Sequence, residues 1–210
     1  GSVRALLLAR VERLPQEVQQ LLHAAAALGA RFNLEALRHV AASPISDPAA
    51  LVASGLLACD GEECRFTHAL IRAAIYETLL RSARRGLHLR AAQWFEGRDP
   101  ALHAEHLAAA EDRAAAAAHL RAAAIEQRAC RFDRALVHVE RARTLASTDA
   151  ERCDASAELG DIHLARGRTA EAIEAYRDSA ALAAAPGPRA RAGLGLATSL
   201  RILDRHEEAL

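Results

Sequence analysis

The chain has 210 residues, 51% hydrophobic but only 3% aromatic, and its 27 basic residues balance 27 acidic ones to a formal net charge of +0. Alanine-rich, aromatic-poor composition favours closely packed helices over a β-sandwich or barrel, and no apolar run approaches the ~18 residues of a membrane span. Balanced charge gives no sign of a nucleic-acid-binding protein. All basic residues are arginine, and without lysine there is neither a P-loop nor Schiff-base chemistry.

Leu14-Pro15 opens a helix on which Val18, Leu21, Leu22, Ala25 and Leu28 recur at helical spacing, and Gly29 ends it. Asn33 caps a second helix carrying Leu34, Leu37 and Val40, which Ser43-Pro44 breaks. Asp47-Pro48, a cap followed by proline at the first helical position, starts a third short helix that runs to Gly55. Two short runs, Leu56–Cys59 and Cys64–Phe66, flank Asp60-Gly61-Glu62-Glu63 and predict a β-hairpin. Thr67 caps a helix through Leu80, and another runs from about Ser82 to Phe95. Three helices followed by a hairpin is the order of a winged helix, and residues 3–97 are assigned to such a domain with a trailing helix.

Residues 98–210 repeat themselves. Ala135-Leu136, Ala172-Ile173 and Ala209-Leu210 stand 37 residues apart, with Phe132, Thr169 and His206 three residues before each alanine and Val139 and Tyr176 four residues after the first two. Leu159-Gly160 and Gly167 precede the central member. Leu-Gly, a turn glycine, then alanine and an aromatic four later is the tetratricopeptide pattern, whose usual period is about 34 residues. Pro186-Gly187-Pro188 is expected to lengthen one connection and supply the extra residues. Gly160, Ala172 and Ser179 mark where antiparallel helices approach closely. The fold class is therefore all-α with one small β-hairpin: a winged-helix domain followed by an α-solenoid of tetratricopeptide-like repeats, the last of them truncated.

Residues 14–97 resemble the segment that follows the nucleotide-binding core in STAND-class signalling ATPases, a class that includes bacterial LuxR-type regulators and cyclase-linked ATPases. Leu14-Pro15, Ala26-Ala27-Leu28-Gly29, Phe32, Leu51–Leu57, Arg65-Phe66-Thr67-His68-Ala69-Leu70-Ile71-Arg72, Tyr76 and Leu87-His88 carry the resemblance. His106, Ala118-His119-Leu120 and Ala135-Leu136 extend it into the first repeats. The resemblance implies an ATPase core upstream of residue 3. It also implies that His68, in the place of the histidine of a Met-His-Asp motif, contacts the ADP phosphate in the intact parent. Here the triplet is Thr67-His68-Ala69, so only the histidine is kept. ATP or ADP is expected in the parent, and no cofactor in this fragment.

Other constellations read as structural. The third helix has no basic residue and the hairpin tip is Asp-Gly-Glu-Glu, the wrong charge for phosphates, so no nucleic acid is expected at the winged helix. Cys59, Cys64 and His68 lack a fourth ligand, which favours two packed thiols over a zinc site. His103-x-x-His106 reads as two histidines on one alanine-rich helix, and Arg81, Arg84, Arg85 and Arg90 as a solvated face. No nucleophile-and-base set has supporting context, so no catalytic residue is assigned and the fragment is expected not to be an enzyme. The groove of the repeats should show Asp154, Glu158 and Asp161, flanked by Arg121, Arg128, Arg191 and Arg201. Such mixed charge suits a protein partner or the protein's own ATPase domain.

Four cysteines without a short repeated spacing, and no secretory leader, suggest a reduced, cytoplasmic setting. Gly1-Ser2 reads as a cloning remnant and the chain as an excised piece whose incomplete last repeat leaves an apolar strip able to self-associate. The sequence thus points to a regulatory, protein-interaction arm of a STAND-type ATPase. The alternatives are a fragment of a DNA-binding winged-helix factor and an accessory region of a cyclase or kinase.

Overall fold

The computed structural model describes residues 3–42 and 49–203. Among them are twelve α-helices and one three-stranded antiparallel sheet, an all-α fold with a small β element. The chain divides into two compact units, Gly1–Asp99 with Ala109–Glu111, and Pro100–Ala108 with Asp112–Leu210.

The first unit runs α1 (Val3–Glu12), α2 (Gln16–Leu28), β1 (Arg31–Asn33), α3 (Leu34–Ala41), α4 (Ala49–Ala53), β2 (Leu57–Asp60), β3 (Glu63–Phe66), α5 (Ala69–Thr78) and α6 (Arg81–Phe95). Helix α2 is its centre: Leu22 and Ala24–Ala26 are fully buried, because α3, α4, α5 and α6 all pack against it and alanine lets their backbones come close. Leu37, Val40, Leu51, Leu56, Leu57 and Ile75 close the core around it. Each such leucine or isoleucine contributes about 1.5–3 kcal/mol by leaving water. The Asn33 cap is present: its Oδ1 accepts from the backbone N–H of Glu35 at 2.7 Å. The Asp47-Pro48 start of the third helix lies outside the described residues, and α4 continues from Ala49.

The hairpin forms around Gly61-Glu62. Gly61 has φ +58°, the left-handed value that the first central position of a two-residue hairpin loop requires. Two features depart from the sequence reading. A third strand, β1, pairs with β3 (Phe32 opposite Cys64) and gives the order β1-β3-β2. Three residues are too few for alternation to register. Secondly, Cys59 and Cys64 are directly opposite, with Cα atoms 4.1 Å apart, and form a disulfide rather than a pair of packed thiols. Thr67 is a further correction. Its hydroxyl does not cap α5 but donates to the carbonyls of Gly55 and Leu56, both at 3.2 Å, so His68 becomes the cap residue.

Of the four arginines expected on a solvated face of α6, Arg81 and Arg85 are exposed, but Arg84 and Arg90 are half-buried and structural. Arg84 donates to the carbonyls of Leu79 and Glu77, both at 2.9 Å, and lies over the Tyr76 ring. Arg90 donates to the carbonyl of Val40 at 2.6 Å, which satisfies an orphan acceptor in the last turn of α3.

The second unit comprises α7 (Pro100–Ala109), whose last residue falls in the first unit, then α8 (Ala115–Arg128), α9 (Phe132–Leu145), α10 (Asp149–Ala165), α11 (Thr169–Leu182) and α12 (Pro186–Ile202). Helices α8 and α9, and α10 and α11, form successive helical hairpins, and α12 packs on α11 and α10. Ala135, Ala172 and Ser179 are completely buried where the helices meet. Ser179 also ties α11 to α10, its Oγ donating to the carbonyl of Cys153 at 2.9 Å. The start of α10 carries a full capping box, Thr148 with Glu151.

The extra residues of the 37-residue spacing are not in a longer connection. Pro186, Gly187 and Pro188 form the first turn of α12, where proline is tolerated. Helices α10 and α12 have 17 residues each, against 14 in α8, α9 and α11, so the first helix of the repeat absorbs them. The third member of the repeat, with His206 and Ala209-Leu210, lies outside the described residues.

Candidate functional site: the charged face of the helical repeats

Helices α8, α10 and α12 lie side by side, α8 and α10 each the first helix of its pair, and together make one face of the second unit. Asp154, Glu158 and Asp161 project from α10, Arg121 and Arg128 from α8, and Arg191 and Arg201 from α12. The structure brings three of these together. Arg191 Nη2 donates to Glu158 Oε2 at 3.0 Å and to Asp161 Oδ2 at 2.5 Å. The hydroxyl of buried Tyr176, on α11, donates to the other Asp161 oxygen, Oδ1, at 2.5 Å. One carboxylate thus links three helices.

The electrostatics follow from that geometry. Burial, and then the hydrogen bond to Asp161, push the Tyr176 hydroxyl well above its ordinary pKa, so it stays a donor throughout. Burial opposes the charge of Arg191, but Asp161 and Glu158 outweigh it and raise its pKa. The Glu158 side chain is 13% exposed, against 45% for Arg191, so the acid is sunk in the α10–α12 seam and the arginine covers it. Arg121, Arg128, Asp154 and Arg201 are not drawn into this network. All four are exposed, and no ion pair holds them among the described residues. The α10–α12 seam is therefore fixed and internally neutralised, and the other four charges are exposed on the same three helices.

A cleft of about 560 Å³ lies between α9, α10 and α11, lined by Glu140, Arg143, Arg152, Ser156 and Asp178 among others. No sequence signal identified it, because its walls come from three helices. His68 stands apart, in the first unit. It is exposed at the start of α5, where the first-turn N–H groups lie, and its side chain makes no capping bond. Of the histidine pair on α7, His106 is buried and His103 partly so, which places them in the packing rather than in solvent. No helix among the described residues is long and apolar enough to cross a membrane.

No family model matches this chain, and no curated protein matches it in sequence. Among solved structures, it is similar to the crystal structure of a Signal Transduction ATPase with Numerous Domains (STAND) protein with a tetratricopeptide repeat sensor from Pyrococcus horikoshii, with 14% identity and a TM-score of 0.46 over 99% of this chain. The chain spans 38% of the length of that protein.

Proposed function

We propose that this chain is a non-catalytic regulatory and protein-interaction arm of a STAND-type ATPase, acting in the cytoplasm. In this reading the repeats bind a protein partner, or the protein's own ATPase domain, and pass that event to the nucleotide state of a core encoded upstream. The observation that carries it is the α8–α10–α12 face. Adjacent helices that carry a rigid, neutralised seam and exposed Arg121, Arg128, Asp154 and Arg201 support recognition of a protein surface with charges of both signs.

The first unit is read as a winged helix. Its helix–strand–helix–helix–strand–strand order and its β1-β3-β2 sheet support that assignment. In the resting parent it packs on the nucleotide domain with His68 on the ADP phosphate, and partner binding at the repeats shifts the balance between closed and open forms. Direct DNA contact is a weaker reading, since Asp60, Glu62 and Glu63 are all exposed at the hairpin tip.

The test uses the chain extended through the residues that precede it in its gene. Arg121→Glu with Arg128→Glu should alter partner-dependent ATP turnover while leaving basal turnover intact. His68→Ala should loosen ADP retention and raise basal output. An upstream sequence with no phosphate-binding loop, or unchanged ADP occupancy and turnover in both variants, would refute the proposal.

A further inference from the structure

Helices α8 and α9 are joined mainly by alanine, yet two histidines are buried between them. His119 is fully buried and His138 is 8% exposed, and their Nδ1 atoms are 3.0 Å apart. An imidazole pair in an apolar seam is costly unless every ring nitrogen has a partner. Here one does not: His119 Nε2 is buried with no hydrogen-bond partner among the described residues. A metal held by the two Nδ1 atoms would not supply that partner; the convergence of a third ligand atom on the Nδ1 pair is what points to an ion.

A third group converges on the pair. Glu105, on α7, offers a carboxylate oxygen that lies with one nitrogen of each histidine in a cluster no more than 4.8 Å across. Metal–nitrogen bonds of about 2.0–2.1 Å at a tetrahedral angle put two ligand nitrogens about 3.3 Å apart. The 3.0 Å between the two Nδ1 atoms is already close to that bite. Glu105 is exposed, so its side chain can swing the remaining distance without leaving a packed position.

We propose that Glu105, His119 and His138 form a binding site for a divalent transition-metal ion, held by two imidazole nitrogens and one carboxylate oxygen. Nitrogen-rich ligation selects zinc, nickel, copper or cobalt over magnesium and calcium, which take oxygen ligands. Three protein ligands leave a fourth position for water or for a group supplied by a partner. Burial lowers the pKa of His119 and so favours the neutral ring that a metal requires. Glu105 raises that pKa again, while His138 and then Arg141 lower it. Sited across the first helical hairpin, the ion would brace α8 against α9 and make the stability of the repeats metal-dependent. This site is independent of the charged face, so either proposal can fail without the other.

The probe is the metal alone. The full chain, stripped with a chelator, is titrated with Zn²⁺ by calorimetry and with Co²⁺ by its visible absorption. Saturable one-to-one binding and a Zn²⁺-dependent rise in melting temperature are expected. Glu105→Gln, at an exposed position that leaves the fold intact, should weaken binding about tenfold or more, and His138→Gln should abolish it. His163→Gln, on α10, should leave the affinity unchanged. No saturable binding of either metal overturns the proposal, and so does binding that Glu105→Gln and His138→Gln leave untouched.

Discussion

The ring of Tyr176 occupies the space into which a side chain on Gly160 would grow: a Cβ there would stand 2.7 Å from the tyrosine Cε1. A Cβ on Gly195, on α12, would meet the same ring atoms. Tyr176 is 1% exposed and its hydroxyl is held by Asp161, so the ring has nowhere to go.

Gly160→Ala and Gly195→Ala should therefore each destabilise the repeat unit by about 1–3 kcal/mol, overpacking strain outweighing the helix propensity gained. Gly193, two residues before Gly195 on α12, has nothing within 4 Å of its notional Cβ. Gly193→Ala should stabilise by up to about 1 kcal/mol. Urea denaturation followed by helical circular dichroism compares the three, and a destabilising Gly193→Ala would invalidate the packing argument.

Ala172 is fully buried where α11 meets its neighbours. Ala172→Leu should cost about 1–3 kcal/mol for the same reason. A negligible shift in the midpoint would show that this contact is loose.

Stability should fall in mild acid. Burial, and then the charges of Arg72 and Arg84, lower the pKa of His88 from 6.5 to about 4. The ring is 4% exposed and pairs with the Tyr76 hydroxyl at 2.8 Å. Between these two values the unfolded chain takes up a proton that the folded chain refuses. The stabilisation from neutral His88 is thus complete above pH 6.5 and is lost progressively down to about pH 4, amounting to at most about 3 kcal/mol. His23 and His163 are shifted in the same direction by burial. Thermal melts from pH 7.5 to 4.5 should show the fall, with a shallower slope in His88→Phe. Equal slopes in the two proteins would count against His88.

Reducing agent should loosen the first unit. The Cys59–Cys64 bridge closes a loop with a sequence separation of 5, and the loop-entropy estimate for so short a ring is about 2 kcal/mol. Dithiothreitol, or Cys59→Ala with Cys64→Ala, should lower the stability of the first unit by about that amount and leave the second unit unchanged. A melting curve insensitive to reductant would show that the hairpin turn and sheet pairing suffice. Since cytosolic proteins seldom keep structural disulfides, a bond that persists in freshly lysed cells would argue against the cytoplasmic placement.

How far the sequence could be read depended on the range of the interaction. Caps, periodic apolar faces and the turn at Gly61 are local, so Asn33, the α2 stripe and the β2–β3 hairpin were legible. Strand β1 was not, because three residues become a strand only through a partner that is 32 residues away in Cys64. The grouping of Arg191 with Glu158 and Asp161 could be guessed from the repeat register, but not the anchoring of Asp161 by Tyr176, which needs a third helix. His119 entered through the family resemblance alone and its pairing with His138 was not legible, because 19 residues and a helix–helix turn separate the two. A polar residue on an otherwise apolar helix face, occurring on both helices of one hairpin, is the signal that would have found them.

The Arg191 seam gives the last prediction. Glu158 and Asp161 are three residues apart on one helix and share a single arginine, with Glu158 the more deeply buried. Arg191→Ala leaves two neighbouring carboxylates facing each other in the α10–α12 seam without their cation. A part-exposed, charge-assisted pair of this kind is worth about 1–2 kcal/mol at neutral pH. Arg191→Lys should recover only part of the loss, because an ammonium cannot serve two carboxylates with the reach of a guanidinium. A double-mutant cycle pairing Arg191→Ala with Glu158→Gln isolates the coupling. Additive effects within about 0.3 kcal/mol would show that the pair is merely adjacent, and that α12 is held by apolar packing through Ala192 and Leu200 instead.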